Sequence, residues 1–333
     1  MLRRIVLVVA CLSFPAAALA HLCNDVFVQA RDSLAVKVDV RDGQLRIGKT
    51  ARFRVYLLNT MDRAIVTIGL QVRTNGKFNA RVKPSPTWKR APFLQTVRRG
   101  GKKEYFEVTL TRKPGVPDGK YKIDLHLFNP RKKSMVFKTV DLGQATGICE
   151  VPKAAGVSID GNASSTEWSK SLLCTNFYEF KRTSLAWRGR NFKKWAGKVP
   201  AREQARFRVA ADRDNVYLCL GFQGGAGAAS DTASFYAARG IDSKPVKVSV
   251  DRLSGKVSCS AGTAGIECKV GGGKKTVELK IPRKLLGVAD VKGFYANFTR
   301  STRTKDKPLL TYWRGNRHSA ADPVEFAHFK VAE

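Results

Sequence analysis

Acidic residues are what this chain has least of relative to its needs. Asp and Glu together number 27 against 60 Lys and Arg, a formal charge of +33 over 333 residues. Sparse acids leave little material for the paired carboxylates of glycoside hydrolysis. Neither G-x-S-x-G nor H-E-x-x-H occurs in the sequence, which removes the usual nucleophile and metalloprotease signatures. The four histidines, His21, His126, His318 and His328, are scattered, and there is no C-x-x-C pair, so no zinc cluster is expected. A chain beginning at His21 offers an amine and a ring to copper, but Cys23 beside that ion would be an oxidation hazard, and copper is set aside. After the N-terminal stretch there is no second long apolar run, so no membrane span is expected. No catalytic residue is assigned, and the chain is read as non-enzymatic.

The N-terminus is more informative. Arg3 and Arg4 precede an apolar stretch from Ile5 to Phe14, and Ala18-Leu19-Ala20 is a small-x-small cleavage signal. Residues 1–20 therefore predict a secretion signal and an address outside the cytoplasm: periplasm, envelope or extracellular space. Six cysteines follow it: Cys23, Cys149, Cys174, Cys219, Cys259 and Cys268. An even number in an exported chain predicts disulfides. Cys259 and Cys268 flank the small, flexible Ala261-Gly262-Thr263-Ala264-Gly265 and are expected to pair; the other four stay unassigned. The excess of positive charge has two readings, a solvated basic surface or a polyanionic partner such as an acidic or sulfated polysaccharide.

A hydrophobic content of 43%, with 18 Phe, suffices for real cores, and the length suggests two domains. From Val26 to about Val140 the text alternates with period two, as in Ala51-Arg52-Phe53-Arg54-Val55-Tyr56-Leu57 and Tyr105-Phe106-Glu107-Val108-Thr109-Leu110. That is the half-buried strand pattern. Asp42-Gly43, Asn75-Gly76, Gly100-Gly101 and Pro117-Asp118-Gly119 supply turns between the runs. The order of Gly48, Phe53 to Leu58 with Asn59, and Gly119-Lys120-Tyr121 resembles the immunoglobulin-like modules of secreted bacterial proteins. Residues 21–143 are assigned to that sandwich, and 144–156, rich in Gly and Pro, to a linker.

Residues 157–333 carry a second resemblance. Ile159-Asp160-Gly161 followed by Glu167-Trp168 opens the segment. Arg206 to Asp212 then leads to Asp214-Asn215-Val216-Tyr217-Leu218. Thr276 to Pro282 is followed by Leu285-Leu286-Gly287. Tyr295 to Arg300, Trp313 and a closing Phe326 to Val331 complete the order. Together these resemble family 9 carbohydrate-binding modules and their DOMON-like relatives. The resemblance implies a β-sandwich, hence an all-β chain of two sandwiches. It implies a sugar held between two aromatics, with Trp313 as the C-terminal one and Arg300 on the strand leading to it. The mid-domain tryptophan of the family is missing here, and Tyr236 is the available substitute. Family members often hold structural calcium, for which Asp212 and Asp214 are the carboxylates; each is equally a turn former. No other cofactor is expected. Trp168 reads as a core anchor on a serine-capped turn, and Glu278 as an outward residue of its strand.

One further stretch, Lys181 to Lys198, interleaves Trp187, Phe192 and Trp195 with Arg188, Arg190 and several lysines. Aromatic faces stack on sugar C–H surfaces while cations pair with carboxylate or sulfate. The same mixture suits single-stranded nucleic acid, which export argues against. The alternative is a basic loop whose tryptophans pack on a sandwich edge. The preferred expectation is a non-catalytic binder of extracellular glycan, anionic in character. The alternative is an envelope protein whose sandwiches make protein contacts. Oligomeric state stays open.

Overall fold

In the computed structural model the chain is described over residues 27–29, 34–39, 50–59, 66–86, 95–97, 104–117, 121–128, 134–142, 148–163, 166–175, 177–180, 196–199, 204–223, 228–303, 308–313, 320–323 and 326–332. These residues are almost entirely strand, as the alternation requires. No helix among them is long and apolar enough to cross a membrane.

The N-terminal half holds β1 (Phe27–Gln29), β2 (Leu34–Asp39), β3 (Thr50–Asn59), β4 (Val66–Arg73), β5 (Phe78–Pro84), β6 (Gln95–Val97), β7 (Glu104–Arg112), β8 (Tyr121–Phe128) and β9 (Ser134–Leu142). They form two sheets, β1-β2-β3-β7-β5 and β6-β4-β8-β9. Taking β2 as strand A, the orders read A-B-E-D and C-F-G with an added edge strand, which is the immunoglobulin arrangement. Period two explains the packing. Phe53, Val55 and Leu57 of β3 point inward with Phe106, Val108 and Leu110 of β7, all nearly inaccessible. Arg52, Arg54 and Tyr56 take the outer face of the same sheet. Asn75-Gly76, both at positive φ, turn β4 into β5 as the sequence predicts.

The C-terminal half adds β10 (Ile148–Val151), β11 (Leu172–Cys174), β12 (Tyr178–Phe180), β13 (Ala196–Lys198), β14 (Ala205–Ala211), β15 (Asn215–Phe222), β16 (Ser230–Ala238), β17 (Val246–Asp251), β18 (Val257–Cys259), β19 (Glu267–Val270), β20 (Thr276–Pro282), β21 (Gly293–Arg303), β22 (Pro308–Tyr312) and β23 (Ala327–Val331). One sheet runs β11-β14-β15-β20-β19. The other runs β13-β12-β22-β21-β16-β17-β18, and β23 joins it through β21. Within the segment read as a linker, Ile148–Val151 is a strand parallel to β23, because Cys149 and Val151 bury completely. Phe207, Phe222, Phe235, Phe294, Phe298 and Phe329 fill the space between the two sheets.

Two polar devices organise this sandwich. Inside it, Asp231 accepts from Arg300 Nε at 2.8 Å and Nη2 at 2.7 Å, from Arg252 Nε, and from Thr302 Oγ1 at 3.2 Å. All four residues are buried. The two guanidiniums lie over the Phe222 ring, 5.4 and 5.1 Å from its centroid. Outside it, residues 157–163 and 166–170 lie across the β11-β14-β15-β20-β19 sheet. Trp168 Nε1 donates to Glu278 Oε1 at 3.0 Å, and the Gly161 N–H donates to Oε2 at 2.9 Å. Trp168 therefore anchors a satellite cluster with Ala210, Tyr217 and Cys219 rather than the space between the sheets. Glu278 faces outward from the core as expected, yet the covering segment leaves it fully buried.

The two halves meet sheet face to sheet face. Tyr56 and Tyr105, neighbours on β3 and β7, pack with Tyr236, Ala238, Ile241, Tyr295 and Phe326. Tyr56 donates to Asp242 Oδ2 at 3.1 Å, and Arg54 lies 4.5 Å from the Tyr105 ring centroid.

Replacing Asp231 with Asn strands two buried guanidiniums and should cost about 3–5 kcal/mol of stability. Urea titration followed by circular dichroism reads this, and a loss below about 1 kcal/mol would show that the triad is dispensable. Tyr56→Ala should loosen the seam and split one calorimetric transition into two. An unchanged single transition would show that the seam does not couple the halves.

Candidate functional site

The long β13-to-β18 sheet is the surface on which the expected ligand residues converge in sequence. Its two faces are separated by the strand alternation. On β16, Ala233, Phe235 and Ala237 point into the core, and Thr232, Ser234, Tyr236 and Ala238 point away. Registered across the sheet, Ser258, Ser249, Ser234, Thr299 and Tyr312 form one outer row on five adjacent strands. Every member carries a hydroxyl. Ser234 and Ser249 bond to each other at 2.9 Å, and Thr299 and Tyr312 are buried beside them. Asn297, one row along, donates to the Ala320 carbonyl at 2.9 Å, which holds Ala320 to this face.

The expected sugar-site residues do not assemble here. Arg300 is opposite Ala233 in register and so belongs to the core side, where its guanidinium is held by Asp231 at 2% exposure. Trp313 donates its backbone N–H to the Phe298 carbonyl. Its ring packs on Phe298 and Phe329 at 5.8 and 6.1 Å, closing the rim of the same core. Tyr236 lies on the opposite face. It packs against Phe326 at 6.1 Å, with Lys247 Nζ 5.8 Å from its ring centroid. A sheet stands between Tyr236 and the other two. Trp187, Arg188, Arg190 and Trp195 lie outside the described residues.

The expected Cys259–Cys268 disulfide is corrected: both are free thiols, as is Cys219. The glycine-rich link between them is a crossover, not a hairpin. Cys259 ends the edge strand of one sheet and Cys268 sits on the edge strand of the other. Cys259 Sγ accepts the Ala261 N–H at 3.4 Å, while the Cys268 thiol is turned to the Gly255 carbonyl at 3.8 Å. Burial pushes the Cys268 thiol up. Burial, and then the charge of Glu278, pushes the Cys219 thiol up to about 12.

Asp212 and Asp214 occupy the β14–β15 turn. Asp212 Oδ1 accepts the N–H groups of Asp214 and Asn215 at 2.8 and 2.6 Å, and Oδ2 accepts the Tyr217 hydroxyl at 2.7 Å. Burial pushes Asp212 up, but those hydrogen bonds outweigh it and hold the carboxyl below its usual range. The carboxylate is thus engaged in closing a hairpin. Among the described residues no group of three or more His, Cys, Asp and Glu stands where it could hold a metal.

On the N-terminal sheet, sequence reasoning placed Arg52 and Arg54 outward but singled out neither. Register sets Arg52, Thr109 and Arg81 in one outer row, and Arg54, Glu107 and Lys83 in the next. Arg52, Arg81 and Lys83 are exposed. None of the three makes an ion pair among the described residues.

No protein-family model matches the chain, and no curated protein matches it. Among solved structures, similarity is found to a FixG-related protein from Vibrio parahaemolyticus, at 12% identity and a TM-score of 0.25, over 34% of this chain and 97% of that one. A conserved domain protein from Bacillus anthracis is similar at 9% identity and a TM-score of 0.22, over 85% and 78%. The C-terminal domain of the Streptococcus agalactiae AgI/II polypeptide BspA is similar at 10% identity and a TM-score of 0.21, over 83% and 98%. Likenesses this distant carry no functional argument.

Alkylation of the native protein should label Cys259 first and leave Cys174 and Cys219 untouched until denaturant is added, because a thiol must ionise and be reached to react. Peptide mapping by mass spectrometry reads this. Rapid native labelling of Cys219 would contradict the buried satellite cluster.

Proposed function

We propose that this chain is a non-catalytic binding protein acting outside the cytoplasm, and that its partner is an extracellular glycan rich in carboxylate or sulfate groups. The observation that carries the reading is the outer face of the β1-β2-β3-β7-β5 sheet. There Arg52 on β3 and Arg81 and Lys83 on β5, either side of β7, are exposed and make no ion pair among the described residues, on the part of the face beyond the Tyr56–Tyr105 seam. Cations fixed on a sheet lose little backbone entropy when a polyanion docks, and the overall charge of +33 adds long-range attraction. Trp313 and Arg300 support the anionic version over a neutral sugar slot, since both are used in packing. The basic–aromatic stretch with Trp187, Arg188, Arg190 and Trp195 remains the second contact assigned to the same polymer.

A protein-contact role in the envelope is the rival reading, favoured by one observation. The face-to-face seam between the halves uses aromatic sheet surfaces of the kind that dock other domains.

Binding of the full chain to polygalacturonate, dextran sulfate and neutral dextran at two salt concentrations separates the two. The anionic polymers should bind with a steep salt dependence and neutral dextran should not bind. Trp187→Ala or Trp195→Ala should weaken binding by about 1–3 kcal/mol with the salt slope intact, if the loss resembles that of an aromatic–base stack. Arg188→Ser with Arg190→Ser should flatten the slope as fewer counterions are released. Failure to bind either anionic polymer would replace the glycan reading with the protein-contact one.

A further inference from the structure

One end of the C-terminal sandwich gathers four chain segments that are far apart in sequence. They are the residues after β10, the β14–β15 turn, the link between β20 and β21, and the end of β23. A cleft of about 320 Å³ opens between them. Its floor is Arg283, its rim Lys153, Arg213 and Lys292, and Val291 and Val331 contribute apolar wall. A second cleft adjoins it through Lys292 and Val331 and brings in Lys330 and Glu150.

The buried cation of this cleft, Arg283, has no counter-charge among the described residues. Arg283 is 5% exposed. Its Nη1 donates to the carbonyls of Asp212 and Arg213, each at 3.2 Å, and its Nη2 to the carbonyl of Val288 at 3.0 Å and that of Val291. Every acceptor is a neutral backbone oxygen, and its Nε is buried with no partner. The two acids in the lining are engaged elsewhere. Asp212 is closing its turn, and Asp290 pairs with Arg239 at 2.6 Å. A buried cation without a counter-charge is costly, and the rim adds three exposed cations above it. An oxyanion entering the cleft would meet charge-assisted donors of fixed geometry, and the volume lies within the range of small-ligand pockets.

We propose that this cleft is an anion subsite that receives the carboxylate or sulfate of one sugar unit of the glycan, with Lys153, Arg213 and Lys292 as direct donors and Arg283 as the buried positive floor. The inference rests on the anionic-glycan reading and gives it a second, pocketed contact distinct from the exposed cations of the N-terminal sheet. Arg283 is a positioning residue. It braces the turn and the link that carry the rim, and its charge acts from below.

The test uses the full chain and two probes, trigalacturonate and inorganic sulfate, read by isothermal titration and thermal shift. Trigalacturonate should bind the wild type and raise its melting temperature. The K153S/R213S/K292S variant should keep the unliganded melting temperature and lose at least tenfold in trigalacturonate affinity. A control, R206S/K256S/K269S, removes the same net charge from exposed sites elsewhere in the domain and should bind as the wild type does. Equal losses in both variants would mean that bulk charge acts, which overturns the site. So would unchanged binding by the rim variant, or a response to sulfate with none to trigalacturonate. If the wild type binds polygalacturonate and the rim variant matches it with both probes, the subsite falls while the glycan reading stands. If trigalacturonate binds at the rim but neither anionic polymer binds, the polymer reading falls instead.

Discussion

The C-terminal sandwich is built around one carboxylate. Asp231 is wholly inaccessible, and two arginines, from β21 and from the residue after β17, converge on it with Thr302. Burying an ion pair is a poor source of net stability, because desolvation offsets most of the attraction. Its effect is on uniqueness. A guanidinium that loses Asp231 has no equivalent place to go, so the relative positions of β16, β17 and β21 are fixed by where that carboxylate sits. The Phe222 ring beneath both guanidiniums ties the facing sheet into the same arrangement. Arg300 is therefore set by the interior and not by a ligand. Trp313, two residues beyond Thr311, the register partner of Arg300, falls on the same core side.

The satellite cluster applies the same logic outside the sheets. Glu278 would be solvated on an uncovered strand. It is covered because the Gly161 N–H and the Trp168 indole satisfy both its oxygens, which lets Ala210, Tyr217 and Cys219 bury under the indole without leaving a charge unbonded. The same Glu278 charge beside a desolvated sulfur suppresses the Cys219 thiolate. On the outer face of the N-terminal sheet beyond the seam, Arg52, Arg81 and Lys83 stay exposed and make no ion pair among the described residues. The basic excess of the sequence is thus not spread evenly. Part is consumed in Asp231 and Asp290 pairs, and part is left as exposed charge on a sheet face and at one end of the second sandwich.

Much of the fold was legible. Alternation in Ala51 to Leu57 and in Tyr105 to Leu110 assigned strands and also the faces of those strands. Asn75-Gly76 marked a real turn. The ordered motifs from Ile159 to Val331 fell on strands and turns of one sandwich. What alternation could not show is which polar outward residue would be covered, because Glu278, Ser234 and Thr299 are buried by segments remote in sequence. Ile148–Val151 was hidden as well. A four-residue strand among Gly and Pro gives no periodic signal, and it is specified by its partner β23. The Cys259–Cys268 expectation failed for a related reason. A flexible link of small residues can close a hairpin or cross between sheets, and only the partners of β18 and β19 decide which.

The candidate sites divide along the same line. Residues proposed from motif resemblance, Arg300 and Trp313, are both used in the packing of this sandwich. The charged cleft had no motif at all, since Lys153, Arg213, Arg283 and Lys292 come from four separate segments and meet only when the sheet ends are brought together. Arg283 connects the two cases. It follows the strand-ending Pro282, and its backbone contacts hold the β14–β15 turn against the link to β21. With every hydrogen bond it makes going to a neutral carbonyl, it leaves its charge uncompensated at the floor of the cleft. A carboxylate from within the chain at that point would have been the ordinary solution. Among the described residues none stands there, and that leaves the cleft receptive to an anion from outside.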